Sequence, residues 1–406
     1  MDHHYSQSHG QGKDAFLSIA VLCGIQIDGT LARQSLWERI NPRAFDFLSA
    51  VLCRLMVSRH QARQFLTRSI KRILVADSTI LRLHPSLEYF FPGSKNQHSK
   101  TSQSSARLQV LIDIFPGDFL HFNLSSFRRN DQAAAMDIIS VIKKGDLLLR
   151  DLGYFTFSSL RAIHLKGCFF ITRHLYKTVL YNEGGKKIDI LGNLRKARRS
   201  GLGKVRFHAL LGKKEAIPVL LEAVLLPPAV AAERRRKANA NRDKRVDYKA
   251  GYYELLDWSI VITNIGEEEL EGIDAYGLYA LRWRIENIFK AWKSNPLPKQ
   301  LAGRKTNVWH IKCLIVSQVI VMVKLSHLRI FAIPGKGGNS REKQITAWEV
   351  MSPGLSMLKI LDIVMLCLRD AQTVSDEMLA KQLNYHAPYD KRKRKSLPAL
   401  ATGFLA

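Results

Sequence analysis

The 406-residue chain is short of acidic side chains. It carries 35 Asp and Glu against 62 Lys and Arg, a formal net charge of +27. Only 24% of residues are charged, so the excess is basic substitution within a globular composition rather than one charged tail. That balance favours a polyanionic partner, most simply nucleic acid. An anionic membrane surface has the same charge logic, but no long amphipathic basic helix stands in the sequence. Cysteine is scarce too. Cys23, Cys53, Cys168, Cys313 and Cys367 are scattered, each in an apolar run, with no CxxC or CxxH pairing. Their spacing excludes a zinc module and a disulfide scaffold, and reads as buried free thiols in a reducing compartment. Long apolar runs are missing. The most apolar one, Cys313 to Val323, lies between Lys312 and Lys324; it is too short to span a bilayer and predicts a buried helix. No secretory pattern or internal repeat is found. Residues 1–13 form a polar tail, in which His3, His4 and His9 read as part of a frayed end rather than a metal site.

A chain of this length buries a sizeable core in two or three domains. Residues 14–72 predict a helical N-terminal region, with Pro42 opening one helix and a density of Arg and Lys over 54–72. Such a region suits DNA contact or a helical cap. Over 73–173 the pattern is mixed α/β. Ile73 to Ala76 reads as a short buried strand ending in Asp77, and Leu108–Phe115 and Phe119–Leu124 flank the hairpin signal Pro116-Gly117-Asp118. A helix is expected from Asn130-Asp131 to Lys144, stopped by Gly145. A strand from Asp146 to Arg150 ends in Asp151, a helix covers 156–166, and a strand follows from Cys168. Asp77 and Asp151 thus fall at carboxyl ends of predicted strands, where open α/β sheets place their ligands. Residues 174–264 read as a β-rich insertion with one basic helix over 233–245, closed by the strand Trp258–Asn264. Residues 265–330 return to helix, and 331–406 form a helical C-terminal region ending in the basic tail Lys391–Lys395.

The most informative stretch is Tyr279 to Lys293. Tyr279, Arg282, Glu286 and Lys293 stand three, seven and fourteen residues along from the first. At about 100° per residue these positions share roughly a 60° arc of one helix face. A carboxylate flanked by cations on one stripe suits a metal ion held beside a phosphodiester. The same stripe also gives an ordinary solvated face with i,i+4 pairs, Arg282 with Glu286 among them. Hydrolysis and transesterification of phosphodiesters call for hard divalent ions, which take carboxylate oxygens. Asp77, Asp151 and Glu286 are the candidate set, although an Asp after a strand is also a common turn or cap residue.

Together these residues resemble the IS4 group of transposases, within the DDE family with its RNase H-like core. Asp77-Ser78-Thr79 resembles the first aspartate motif. Asp151-Leu152-Gly153-Tyr154-Phe155 resembles the second, and Tyr279, Arg282, Glu286 and Lys293 match the Tyr-x2-Arg-x3-Glu-x6-Lys motif at every position. The resemblance covers about residues 73–295. It implies a mixed RNase H-like sheet interrupted by a β-rich insertion and flanked by helical regions. It implies that Asp77, Asp151 and Glu286 bind two Mg²⁺ or Mn²⁺ ions, and that Tyr279, Arg282 and Lys293 hold the DNA end. Trp258 falls where relatives that cut through a hairpin stack a flipped base; it equally fits a core Trp, sharing a strand face with Ile260 and Ile262. Leu152 departs from the polar residue that many relatives carry there. Arg173, Arg284 and Lys290 suit either DNA or surface pairs. Asp113 reads as structural, and His164 and His174 as local hydrogen-bonding groups.

The resemblance implies cut-and-paste transposition in a bacterial cytoplasm, close to the nucleoid. The partners would be transposon terminal repeats and target DNA, bound by a homodimer in a paired-end complex. Two other readings keep the same residues: a metal-dependent nuclease without strand transfer, and an inactive terminal-repeat binder acting as a repressor.

Overall fold

The computed structural model describes residues 34, 38–57, 69–94, 103–114, 117–240, 250–270, 273–283, 285, 286, 289 and 307–331. The expected helices and basic segments over 14–33, 58–68, 241–249 and 332–406 lie outside the described residues, as does Lys293.

Among the described residues one nine-stranded mixed sheet organises the fold. Strands β1 (Arg72–Leu83), β2 (Ser104–Asp113) and β3 (Asp118–Ser126) form an antiparallel meander. The turn between β2 and β3 passes through Gly117 at φ 74°, a conformation that glycine adopts without a Cβ clash. Strands β4 (Asp146–Arg150) and β5 (Phe169–Arg173) add to β1 in parallel, joined by helix α2 (Phe157–Leu165). This is the RNase H-like arrangement, a mixed sheet with an antiparallel half and a parallel half.

The apolar run Ile73–Ala76 is buried on both faces of the sheet, because successive side chains alternate sides. Ile73 and Val75 join one core cluster, with Leu278, Tyr279, Ile285 and the long C-terminal helix. Leu74 and Ala76 join the other, with Leu160, Ile163 and Trp258. At about 25 cal/mol per Å² of apolar area removed from water, this two-sided burial is the main term holding the sheet between its helices. Helix α1 (Pro42–Val57) packs against that C-terminal helix, which spans Val308–Phe331. Phe45 and Trp309 meet with ring centroids 6.0 Å apart, and Lys312 Nζ lies 4.4 Å from the Trp309 centroid. The Cys313–Val323 run sits within this helix, and no helix among the described residues is long and apolar enough to cross a membrane.

Two local expectations differ from the structure. β1 does not end at Asp77: it runs on to Leu83 because β2 pairs with it continuously from Leu74 to Leu83. The segment after Asn130 is not a regular helix. It is a succession of turns over 131–141, with bonds such as Asp137 N–H to Ala134 O and Val141 N–H to Ile138 O that reach back three residues rather than four.

The β-rich stretch after β5 continues the same sheet. β9 (Trp258–Thr263) pairs antiparallel with β5, then β8 (Ile217–Leu225), β7 (Lys204–Leu211) and the short β6 (Leu180–Tyr181) follow outward. Its described residues carry three helices rather than one, over Ile190–Arg199, Pro228–Ala240 and Ala250–Leu255. Much of the basic run is engaged with the protein itself. Arg235 and Arg198 both bond Asp257, while Arg236 and Lys237 pair with Glu233.

Candidate carboxylate site

The site is assembled by strand register. β1 pairs with β4 in parallel only as far as Ala76↔Arg150. Asp77 and Asp151 are the next residue on each strand, so they stand side by side where the parallel ladder stops. β1 remains a strand there, held by β2. The chain after β4 instead turns at once, with Asp151 at the head of a 3₁₀ turn over Leu152–Tyr154. On the far side of β4, Leu149 pairs with Ile171, so Arg173 ends β5 in the same row of the sheet as Asp151. Arg173 is exposed.

Glu286 arrives from a separate element. Helix Ala275–Ala280 ends in a tight turn at Leu281 and Arg282, whose N–H groups bond back to Leu278 O and Tyr279 O. Helix resumes at Trp283, so the Tyr279–Glu286 stripe is interrupted rather than one regular helix. Tyr279 is buried and its hydroxyl donates to Arg150 O at 3.3 Å, tying this element to the residue before Asp151.

Arg282 stands among the carboxylates. It is 7% exposed; Nη1 donates to Asp77 Oδ2 at 3.4 Å and Nη2 to Glu286 Oε1 at 3.1 Å. Its guanidinium lies 5.5 Å from the Trp283 ring centroid and 6.0 Å from that of Tyr279. Burial alone would weaken its charge, but Tyr279, Asp151, Asp77 and Glu286 outweigh burial and raise its pKa. Burial lifts the Asp77 carboxyl to about 6. The Ser78 N–H, 2.8 Å from Oδ1, and Arg282 resist that rise, while Asp151 and Glu286 add to it. Burial likewise pushes the Tyr279 hydroxyl up to about 12. Asp77 and Arg282 each feel both other carboxylates, so the three acids form one electrostatic cluster.

The donor set fits a hard divalent cation: three carboxylates, from three elements, with no sulfur or imidazole among them. Among the described residues no three acidic, His or Cys side chains stand in a ready ion cage. Arg282 instead bridges two of these acids, Nη1 to Asp77 and Nη2 to Glu286.

Of the other residues singled out in the sequence, Trp258 is 4% exposed and packed in the second core cluster, with its carbonyl accepting from Arg234. It presents no free ring face to a base. Arg284 and Lys290 lie outside the described residues. Asp113 is buried within β2. His164 and His174 bond Asn264 and Thr178 O, as local hydrogen-bonding groups do.

Two groups near the site were not foreseen. Glu222, on β8, is fully buried. Its Oε2 accepts from Arg206 Nε at 2.6 Å and lies 3.3 Å from Lys204 Nζ, and its Oε1 accepts the Tyr276 N–H at 3.1 Å. Arg206 also donates to Ile273 O at 2.6 Å. This clamp fixes the start of the helix that carries Tyr279. The second group joins Asp131, Arg107 and Ser78 behind Asp77. Both depend on pairs far apart in the chain, so no local spacing signals them; Gly153 in the second aspartate motif is the nearest hint.

The transposase of insertion element IS231F from Bacillus thuringiensis subsp. israelensis is 26% identical over 293 residues, 66% of this chain and 60% of that protein. The IS231E transposase from subsp. finitimus is 25% identical over 290 residues, with the same coverage. The IS1151 transposase of Clostridium perfringens is 24% identical over 318 residues, 72% of this chain and 65% of that protein. The chain therefore spans about three fifths of the length of the curated relatives it matches. A cryo-EM structure of the piggyBac transposase synaptic complex with hairpin DNA aligns at a TM-score of 0.38 and 9% identity, covering 81% of this chain and 60% of that one. That score is too low to bear on the fold, which rests on strand order and polarity. The family described as the transposase DDE domain matches residues 68–308, and these hold Asp77, Asp151 and Glu286 together with the sheet that sets their register; the chain belongs to the DDE transposases, of the IS4 type.

Proposed function

We propose that this chain is a DNA transposase that cuts and joins transposon ends by a cut-and-paste route. The observation that carries the reading is the carboxylate cluster: Asp77 and Asp151 adjacent in sheet register, with Arg282 bonding both Asp77 and Glu286. In it, Asp77, Asp151 and Glu286 would hold two Mg²⁺ or Mn²⁺ ions. When bound, such ions supply a nucleophile at neutral pH and offset charge on the attacking and leaving oxygens. Arg282, displaced from its carboxylates, is positioned to donate to a phosphate beside them, and Lys293 serves the same DNA end. Tyr279 orients this element through its bond to Arg150 O rather than by exposure to solvent. Trp258 is left out of the DNA-binding set because it is buried in the core.

The net charge of +27 favours duplex DNA as partner, through release of counterions from its phosphates. Two ends must be brought together for joining, so the active form is a homodimer on paired ends. The test is a joining assay. Labelled terminal-repeat duplex is incubated with Mg²⁺ and a supercoiled target plasmid. Labelled ends inserted into the plasmid support transposition. Cleavage of the repeat without insertion would replace this reading with a nuclease of the same fold. Binding with neither reaction would replace it with a repressor.

A further inference from the structure

Asp131 lies in the succession of turns between β3 and β4, beside a residue that already caps that segment. Asn130 Oδ1 accepts the Ala133 N–H at 2.9 Å, which leaves the Asp131 carboxylate free of a capping duty. It turns instead toward the sheet. Its Oδ1 accepts from Arg107 Nη1 at 2.9 Å and is 3.5 Å from Gln109 Nε2, both on β2. The same Arg107 nitrogen donates to Ser78 Oγ at 3.1 Å. Ser78 in turn gives its backbone N–H to Asp77 Oδ1. The other Asp131 oxygen faces the Asp151 turn, and a Cβ built on Gly153 would come within 2.9 Å of it. One ion pair thus touches both aspartate-bearing segments, reaching Asp77 through Ser78 and Asp151 through Gly153.

We infer that the Asp131–Arg107 ion pair is a strut that sets the separation of Asp77 and Asp151, with both residues acting as positioning groups. The pair suits this duty because it is largely dry. The side chains are 23% and 11% exposed, and the Arg107 guanidinium is 5.2 Å from the Phe127 ring centroid. A charge-assisted bond in such surroundings is stiff, and its direction is fixed by the planar guanidinium. Residues that orient metal ligands in this indirect way change metal affinity typically 10–100-fold when replaced. The inference rests on the proposed metal-binding role of the carboxylates. It also explains why the second motif carries glycine at 153: a side chain there would push Asp131 away.

The test uses Asp131→Asn, which keeps the shape against Gly153 and removes the charge. Ser78→Ala is a milder second variant, for the case that the first does not fold. Mn²⁺ binding is measured by isothermal titration calorimetry on the full chain without DNA, for wild type, both variants and Asp77→Asn. Terminal-repeat binding in EDTA is measured alongside. The strut predicts a rise of about tenfold in the Mn²⁺ Kd for Asp131→Asn. A smaller rise is expected for Ser78→Ala, with DNA affinity unchanged in both. An Mn²⁺ Kd equal to wild type in a folded Asp131→Asn or Ser78→Ala protein, while Asp77→Asn is weakened, would overturn the strut and leave the carboxylate site standing. Equal Mn²⁺ binding by wild type and Asp77→Asn would overturn the metal site itself, and the strut with it.

Discussion

Replacing Glu222 by Ala removes the centre of a buried ion cluster. Glu222 is 0% exposed, accepts from Arg206 and from the Tyr276 N–H, and forms an ion pair with Lys204. Without it, Arg206 keeps its bonds to Ile273 O and Leu270 O but loses its counter-charge, and the Tyr276 N–H loses its acceptor. Breaking a buried pair from one side costs about 3–5 kcal/mol, because the remaining charge is uncompensated. Arg206 is 30% exposed on its side chain and recovers part of this through water, so the lower end applies, about 3 kcal/mol. For a domain of this size that corresponds to a fall in Tm on the order of 6–12 °C. Urea unfolding followed by tryptophan fluorescence gives the free energy, and a thermal melt gives the Tm. The loss should extend to function, since the clamp holds the start of the helix bearing Tyr279 and, after the turn, Glu286. A loss below about 1 kcal/mol, the level of an exposed salt bridge, would refute the reasoning that this cluster is buried and coupled.

Asp77→Asn should stabilise the metal-free protein. Burial raises the Asp77 pKa to about 6, so the native state holds that proton more tightly than the unfolded chain, and stability falls as pH rises through this range. The gain from Asn is therefore absent below about pH 4 and complete above about pH 6, reaching up to about 3 kcal/mol for a shift of roughly two units. Melts across pH in EDTA check it; a pH-independent effect would contradict it. Gly153→Ala should cost about 1–3 kcal/mol by driving a methyl group into the Asp131 carboxylate, read by denaturant midpoint. Cys53 is exposed, whereas burial pushes the Cys168 thiol up to about 11. Alkylation of native protein at pH 8, mapped by peptide mass spectrometry, should therefore label Cys53 and spare Cys168 until urea is added.

The elements around the candidate carboxylates are easier to read from the chain than the groups that support them. The run Asp146–Arg150 and the helix after Thr156 were legible because local hydrophobic pattern and caps decide them. Asp77 looked like a strand end because Asp-Ser-Thr resembles a turn. The partner β2, thirty residues on, supplies the bonds that keep it extended, and no window on β1 alone contains that information. The Tyr279–Glu286 spacing implied one smooth helix, and the chain turns within it at Leu281 and Arg282. The turn at Leu281 and Arg282 swings the arginine between Asp77 and Glu286, an arrangement set by tertiary charge rather than by helical period. Trp258 shows the same limit from the other side. A strand tryptophan reads alike whether it faces a base or a core; here it is 4% exposed, in the buried cluster that also holds Leu160 and Ile163.

In the proposed function Glu286 is a ligand for the metal ions. Its most direct test is Mg²⁺-dependent cleavage of a labelled terminal-repeat duplex by wild type and by Glu286→Ala, with DNA binding measured on the same preparations. Wild type is expected to cut only when Mg²⁺ is present, and the variant to bind the duplex with comparable affinity but not to cut it. Cleavage by the variant at the wild-type rate would contradict the carboxylate cluster as the catalytic centre.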